Sequence, residues 1–110
     1  MAHDELLADR VRQLLLFEAD VVEKRMFGGV AFLIGGHIAV AVSGGGGLLL
    51  RVEEQQWEEL LAAPHVGPFV MRGRELRGWV RVDEEGLVDE RDLGDWVRGG
   101  VDQARSLPPG

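Results

Sequence analysis

Val30-Ala31-Phe32-Leu33-Ile34-Gly35-Gly36-His37-Ile38-Ala39-Val40-Ala41-Val42 is a pair of β-rich runs separated by two glycines. Two-residue hairpin turns need positive φ at their central positions, so this stretch predicts an antiparallel hairpin. Upstream, Val21 to Phe27 alternates apolar with charged residues before Gly28-Gly29. That pattern predicts a first strand ending in a bulge or tight bend. Downstream, Gly44 to Gly47 makes a looser, floppy turn into a strand over Leu48 to Val52. The centre of the chain is therefore expected to be an antiparallel meander of three strands, or four with the first.

The meander is apolar on both sides. Strict alternation places Ile38, Val40 and Val42 on one face and Ala39 and Ala41 on the other. Val30, Phe32 and Ile34 likewise oppose Ala31 and Leu33, and Leu49 opposes Leu48 and Leu50. A sheet wetted on one side alternates apolar with polar residues, so a cover is expected on both faces. The domain's own helices are one candidate for the second cover, and a partner or second subunit is the other.

Helical periodicity brackets the strands. In residues 5–17, Leu7, Val11, Leu14 and Leu15 share a face, with Asp4 placed to cap it. Glu53 to Ala63 predicts a short helix presenting Trp57, Leu60 and Leu61, stopped by Pro64. An irregular stretch through Pro68 leads to a strand pair, Phe69-Val70-Met71 and Arg77 to Asp83. Asp89, with Asp92 three residues on, resembles a capping box opening a last helix. Leu93, Trp96, Val97, Val101 and Ala104 form its apolar face, and Leu107-Pro108-Pro109 ends it. Gly99 and Gly100 each weaken that helix by about 1 kcal/mol relative to alanine, so close packing is expected at both. The order is α-β(3-4)-α-β(2)-α, an α+β fold with two layers, helices on an antiparallel sheet.

Composition narrows the function classes. A chain of 110 residues fits one domain over 1–110, and 45% apolar content suits a packed core. The absence of cysteine excludes disulfides, thiolate zinc sites and a cysteine nucleophile. Met1-Ala2-His3-Asp4-Glu5 is acidic where a signal peptide is basic, so a cytoplasmic, non-membrane protein is expected. A net charge of −7 opposes broad, non-specific nucleic-acid binding. The charge is uneven, however: Arg72, Arg74, Arg77 and Arg81 face only Glu75 over 72–82, whereas acids dominate 83–95.

Several segments together resemble the N-terminal domain of the TfoX/Sxy family, bacterial proteins connected with regulation of natural competence. They are Met26-Phe27-Gly28-Gly29 with Phe32, Leu50-Arg51-Val52 and Met71-Arg72-Gly73-Arg74. Gly78-Trp79-Val80 with Val82, Leu93 with Trp96-Val97, and Leu107-Pro108 complete the ordered set. The resemblance runs from about residue 5 to 109 and implies a two-layer fold like that of secretion chaperones, α-β-β-β-α-β-β-α. Full-length competence regulators carry a second domain of helix-hairpin-helix character. This sequence is expected to be a single-domain member.

No catalytic constellation accompanies these segments. Ser43 and Ser106 are the only hydroxyl side chains, and Ser43 lacks a nucleophile-elbow context. The Gly44 to Gly47 run precedes a strand rather than a helix and lacks the lysine of a phosphate loop. His3, His37 and His65 show no metal-ligand spacing, and His37 and His65 are expected in exposed loops. No cofactor or metal is expected, and the protein is read as a non-enzyme. Arg51, Arg72 and Arg74 recur in the family pattern, and guanidinium forks suit carboxylates and phosphates. The expected interaction surface is Arg51, Arg72, Arg74, Arg77 and Trp79, serving a protein partner or a homodimer. Pairing of Arg51 and Arg74 with Glu53 or Glu75 is the structural alternative. Two further function classes stay open: an accessory touching nucleic acid or a DNA-bound regulator through the arginine stripe, and a small-anion binder or enzyme on the same arginines.

Overall fold

The computed structural model describes residues 5–26 and 28–108. Helix α1 (Glu5–Leu14) leads into β1 (Val21–Met26), β2 (Gly29–Ile34), β3 (His37–Val42) and β4 (Leu48–Arg51). Helix α2 (Glu54–Leu61), β5 (Val66–Met71), β6 (Arg74–Val82), a 3₁₀ turn (Glu84–Leu87) and α3 (Glu90–Ser106) follow. The six strands form one antiparallel sheet in the order β1-β2-β3-β4-β6-β5. This is the α+β arrangement that the periodicity predicts. The boundaries move slightly: α1 is shorter than 5–17, α2 is shorter than Glu53 to Ala63, and β5 begins at Val66, upstream of Pro68. Phe27, Asp4 and Pro109 lie outside the described residues.

The two glycines after β1 do different things. Gly28 adopts φ 73 and reverses the chain into β2, a conformation that costs glycine nothing. Gly29 lies so close to β3 that an added Cβ would overlap the carbonyl oxygen of Val42. The Gly44 to Gly47 turn is tied down rather than floppy. Ser43 and Gly47 bond across it, and Arg81 donates from Nε and Nη2 to the Gly46 carbonyl at 3.1 and 2.8 Å.

All three helices pack on one face of the sheet. Leu7 and Val11 of α1, Trp57 of α2, and Leu93, Val97 and Val101 of α3 share a core with Phe32, Val40, Leu48, Leu50 and Val80. Full burial of each large apolar side chain contributes about 1.5–3 kcal/mol of transfer free energy. Helix α3 starts where Asp89 Oδ1 accepts from the backbone N–H groups of Arg91 and Asp92, the cap predicted from sequence.

Strict alternation fails at one place in β3. Phe32 pairs with Val40 and Leu33 with Ile38, so Ala39 is the extra residue of a β-bulge. The bulge shifts the phase. Ala39 joins the helix-side core, while Ile38 turns to the opposite face with Ala41 and Leu33. Helix α3 crosses here, and a Cβ on Gly100 would overlap the Ala39 carbonyl oxygen. Gly100 thus meets the expectation of close packing. Gly99 does not, because an added Cβ there would meet nothing within 4 Å.

Candidate functional site

The sheet's outer face, away from the helices, has its own apolar cluster. Ala31, Ala41, Leu49 and Phe69 are buried, and Met26, Leu33, Ile38, Leu76 and Trp79 pack around them half-exposed. Every member comes from a strand, so among the described residues the helices are not the second cover. Phe69 and Trp79 meet edge to face with centroids 6.1 Å apart. Val22, paired with Leu33, and Met71, paired with Arg74, extend the apolar surface to exposed edges.

Strand pairing distributes the predicted arginines. Strand β4 lies beside β6, with β5 outermost, so Arg51 pairs directly with Trp79 on the outer face. Arg72 and Gly73 form the β5–β6 turn with φ 53 and 77, and Arg74 opens β6 beside Met71. Arg77 is placed differently. The β5–β6 register slips between Pro68 and Val70, and Arg77 turns to α2. Its Nε donates to Glu54 Oε1 at 2.5 Å, and its guanidinium sits 5.3 Å from the Trp57 ring centroid. Arg51, Arg72 and Arg74 form no ion pair among the described residues, so the predicted links to Glu53 or Glu75 are not made.

Register adds Lys24, which the sequence did not single out, and brings in Arg81 of the arginine stripe. Lys24 pairs with Ala31 and Arg81 with Leu49, so both stand on the outer face. The charged strand residues of this face are therefore Lys24, Arg51, Arg74 and Arg81, all basic on a chain of net charge −7. Arg81 is met by Asp83 at 2.5 Å, just past β6. The acidic residues of β1 and β6, Glu23 and Glu75, fall on the other face, and Glu23 is bound there by Arg12 at 2.8 Å. That contact holds the Glu23 carboxyl below its ordinary pKa and raises that of Arg12; hydrogen bonding outweighs the opposing effect of burial.

The helix side carries a second concavity. Helix α2 packs on β5 and β6, whereas α3 packs on β2, β3 and β4. Between them lies a cleft of about 560 Å³ floored by Leu50, Val52, Leu60 and Trp96. Its ionisable lining is entirely acidic: Glu53, Asp92, Asp95 and Asp102. The missed signal was helical spacing, since Asp92, Asp95, Gly99 and Asp102 recur on one side of α3.

His37 and His65 differ in setting, and His3 lies outside the described residues. His37 opens β3 half-buried, with Nε2 2.5 Å from the Pro108 carbonyl oxygen, rather than lying exposed in a loop. His65 is exposed at φ 66, as expected. Among the described residues, no three His, Asp or Glu side chains converge as a metal site, and no helix is long and apolar enough to cross a membrane.

An antiparallel sheet with helices on one face and an apolar, cation-edged surface on the other is an open-faced α+β domain. The TfoX N-terminal domain family matches residues 13–104, and the chain belongs to that family. The family is linked to regulation of competence and DNA uptake, a regulatory rather than catalytic class of domain. No curated protein and no solved structure gives a significant match.

Proposed function

We propose that this domain is a non-enzymatic interaction module of the cytoplasm, docking a protein partner or a second copy of itself through the outer face of the sheet. The observation that carries this reading is the all-strand apolar cluster around Trp79, flanked by Arg51 and Arg74, which lack acidic partners in the described residues. Burial of Val22, Met71 and the half-exposed Leu33, Ile38, Leu76 and Trp79 would supply the affinity. The guanidiniums would select a partner with carboxylates at matching positions. Arg72 supports the same reading, because a turn position with positive φ ordinarily goes to glycine or asparagine. Within the family context, the partner would belong to competence or transcription control.

Charge insertion at exposed positions tests the proposal. Val22→Glu, Met71→Glu and Arg74→Glu should each leave the melting temperature nearly unchanged and abolish capture of the partner, or self-association in light scattering. A monomer at high micromolar concentration removes the homodimer. Unimpaired partner capture by all three variants removes the outer face as the docking surface. Binding to DNA with a steep loss of affinity on adding salt would instead redirect the cations to phosphate contacts.

A further inference from the structure

The cleft between α2 and α3 lies on the helix side of the sheet, apart from the surface just described. Three observations converge on it. Its floor is apolar, with half-buried Trp96 and Leu60 beside Leu50 and Val52. Its rim is Glu53, Asp92, Asp95 and Asp102, all exposed, and none of them forms an ion pair among the described residues. Glu5, Asp20, Glu58, Glu59, Glu75, Glu84 and Glu85 are likewise without an ion pair among the described residues, so what marks the rim is that its unpaired carboxylates border one apolar cleft. Finally, Gly99 lines the cleft and has no steric reason to be glycine, since a Cβ there meets nothing within 4 Å. A helix-interior glycine costs about 1 kcal/mol against alanine. Its one structural consequence is that this wall stays backbone-shallow.

We infer that the cleft is a docking groove for a basic amphipathic segment of a partner protein. The occupant's apolar side chains would rest on Trp96, Leu60 and Val52. Its lysines or arginines would answer Asp95, Asp102 and Glu53. Shape supports a chain segment over a compact small molecule. Helix α3 lines the groove from Asp92 to Ser106, about 21 Å of helix at 1.5 Å per residue. Charge supports a basic one, because like carboxylates beside an apolar floor repel one another until a cation arrives. An apolar floor open along one helix suits helix-in-groove recognition, in which an amphipathic helix lays its apolar face into a hydrophobic groove.

The test uses a synthetic helical peptide with leucine along one face and lysine along the other, titrated into isotope-labelled protein and followed by NMR. Shifts are expected at Leu60, Trp96, Gly99 and Gln103. Gly99→Leu fills the groove and should weaken binding by at least about tenfold, roughly 1.4 kcal/mol, while the melting temperature holds or rises. Asp95→Asn/Asp102→Asn should weaken binding several-fold and flatten its salt dependence. Glu58→Gln/Glu75→Gln removes as much charge outside the groove and should change affinity less than about twofold. Equal affinity of wild type and Gly99→Leu overturns the proposal, as does a loss in the Glu58/Glu75 control equal to that at Asp95/Asp102. Equal binding of spermine, which has charge without an apolar face, overturns the amphipathic occupant. Self-association abolished by both Gly99→Leu and Arg72→Glu would assign the groove to the β5–β6 hairpin of a second copy instead.

Discussion

The indole N–H of Trp57 donates to the backbone carbonyl of Trp79 at 2.8 Å, fastening α2 to the strand whose opposite face carries the Trp79 ring. One side chain thus couples the helix layer to the outer cluster, and Arg77 covers its ring. Trp57→Phe keeps an aromatic ring in the core, gives up part of the indole's contact and leaves the carbonyl without this donor. It should cost about 1 kcal/mol in urea unfolding. Trp57→Ala opens a cavity and should cost about 3–5 kcal/mol. Equal losses for the two would show that the hydrogen bond is not the smaller part.

Adjacent glycines of α3 should respond with opposite signs. Gly99→Ala meets open space and gains helix propensity, so stability should rise by about 0.5–1 kcal/mol. Gly100→Ala drives a methyl into the Ala39 carbonyl and should cost about 1–3 kcal/mol despite the same propensity gain. Thermal and urea unfolding of both variants decides it. A stabilising Gly100→Ala would mean that α3 does not lie on the bulge of β3.

Arg72 offers a trade between stability and recognition. At φ 53 it occupies a conformation that asparagine tolerates better. Arg72→Asn should stabilise the domain by up to about 1 kcal/mol while weakening partner capture. A variant that is both more stable and fully competent would assign Arg72 to the turn alone.

The Arg12–Glu23 pair predicts a small acid-side dependence. The folded Glu23 pKa lies below its ordinary value of 4.5, so its contribution is present above that value and fades as pH falls through the folded pKa. The pair is partly exposed, which keeps the effect below about 1 kcal/mol. Wild type and Glu23→Gln should therefore differ in stability at neutral pH and converge once the pH has fallen below the folded pKa of Glu23. A constant gap down to acid would show that the carboxylate is not what the contact holds.

What was legible beforehand rested on local chemistry. Gly35-Gly36 between β-rich runs announced a hairpin, Asp89 announced a helix start, and the apolar spacing of Leu93, Val97 and Val101 announced the buried face of α3. Each depends only on residues within a turn or two of one another, so the chain states it directly.

Long-range pairing decided the rest. Only the β4–β6 register sets Arg51 against Trp79, and only the irregularity of the β5–β6 pairing leaves Arg77 to α2. Only the bulge at Ala39 sends Ile38 outward. Gly99 and Gly100 are indistinguishable in sequence, yet one faces a carbonyl and the other open space, because a helix turns about 100° per residue and just one side meets the sheet. The acids of the groove, divided between Glu53 and the length of α3, come to border one cleft only when the start of α2 and the side of α3 are set on the same face of the sheet.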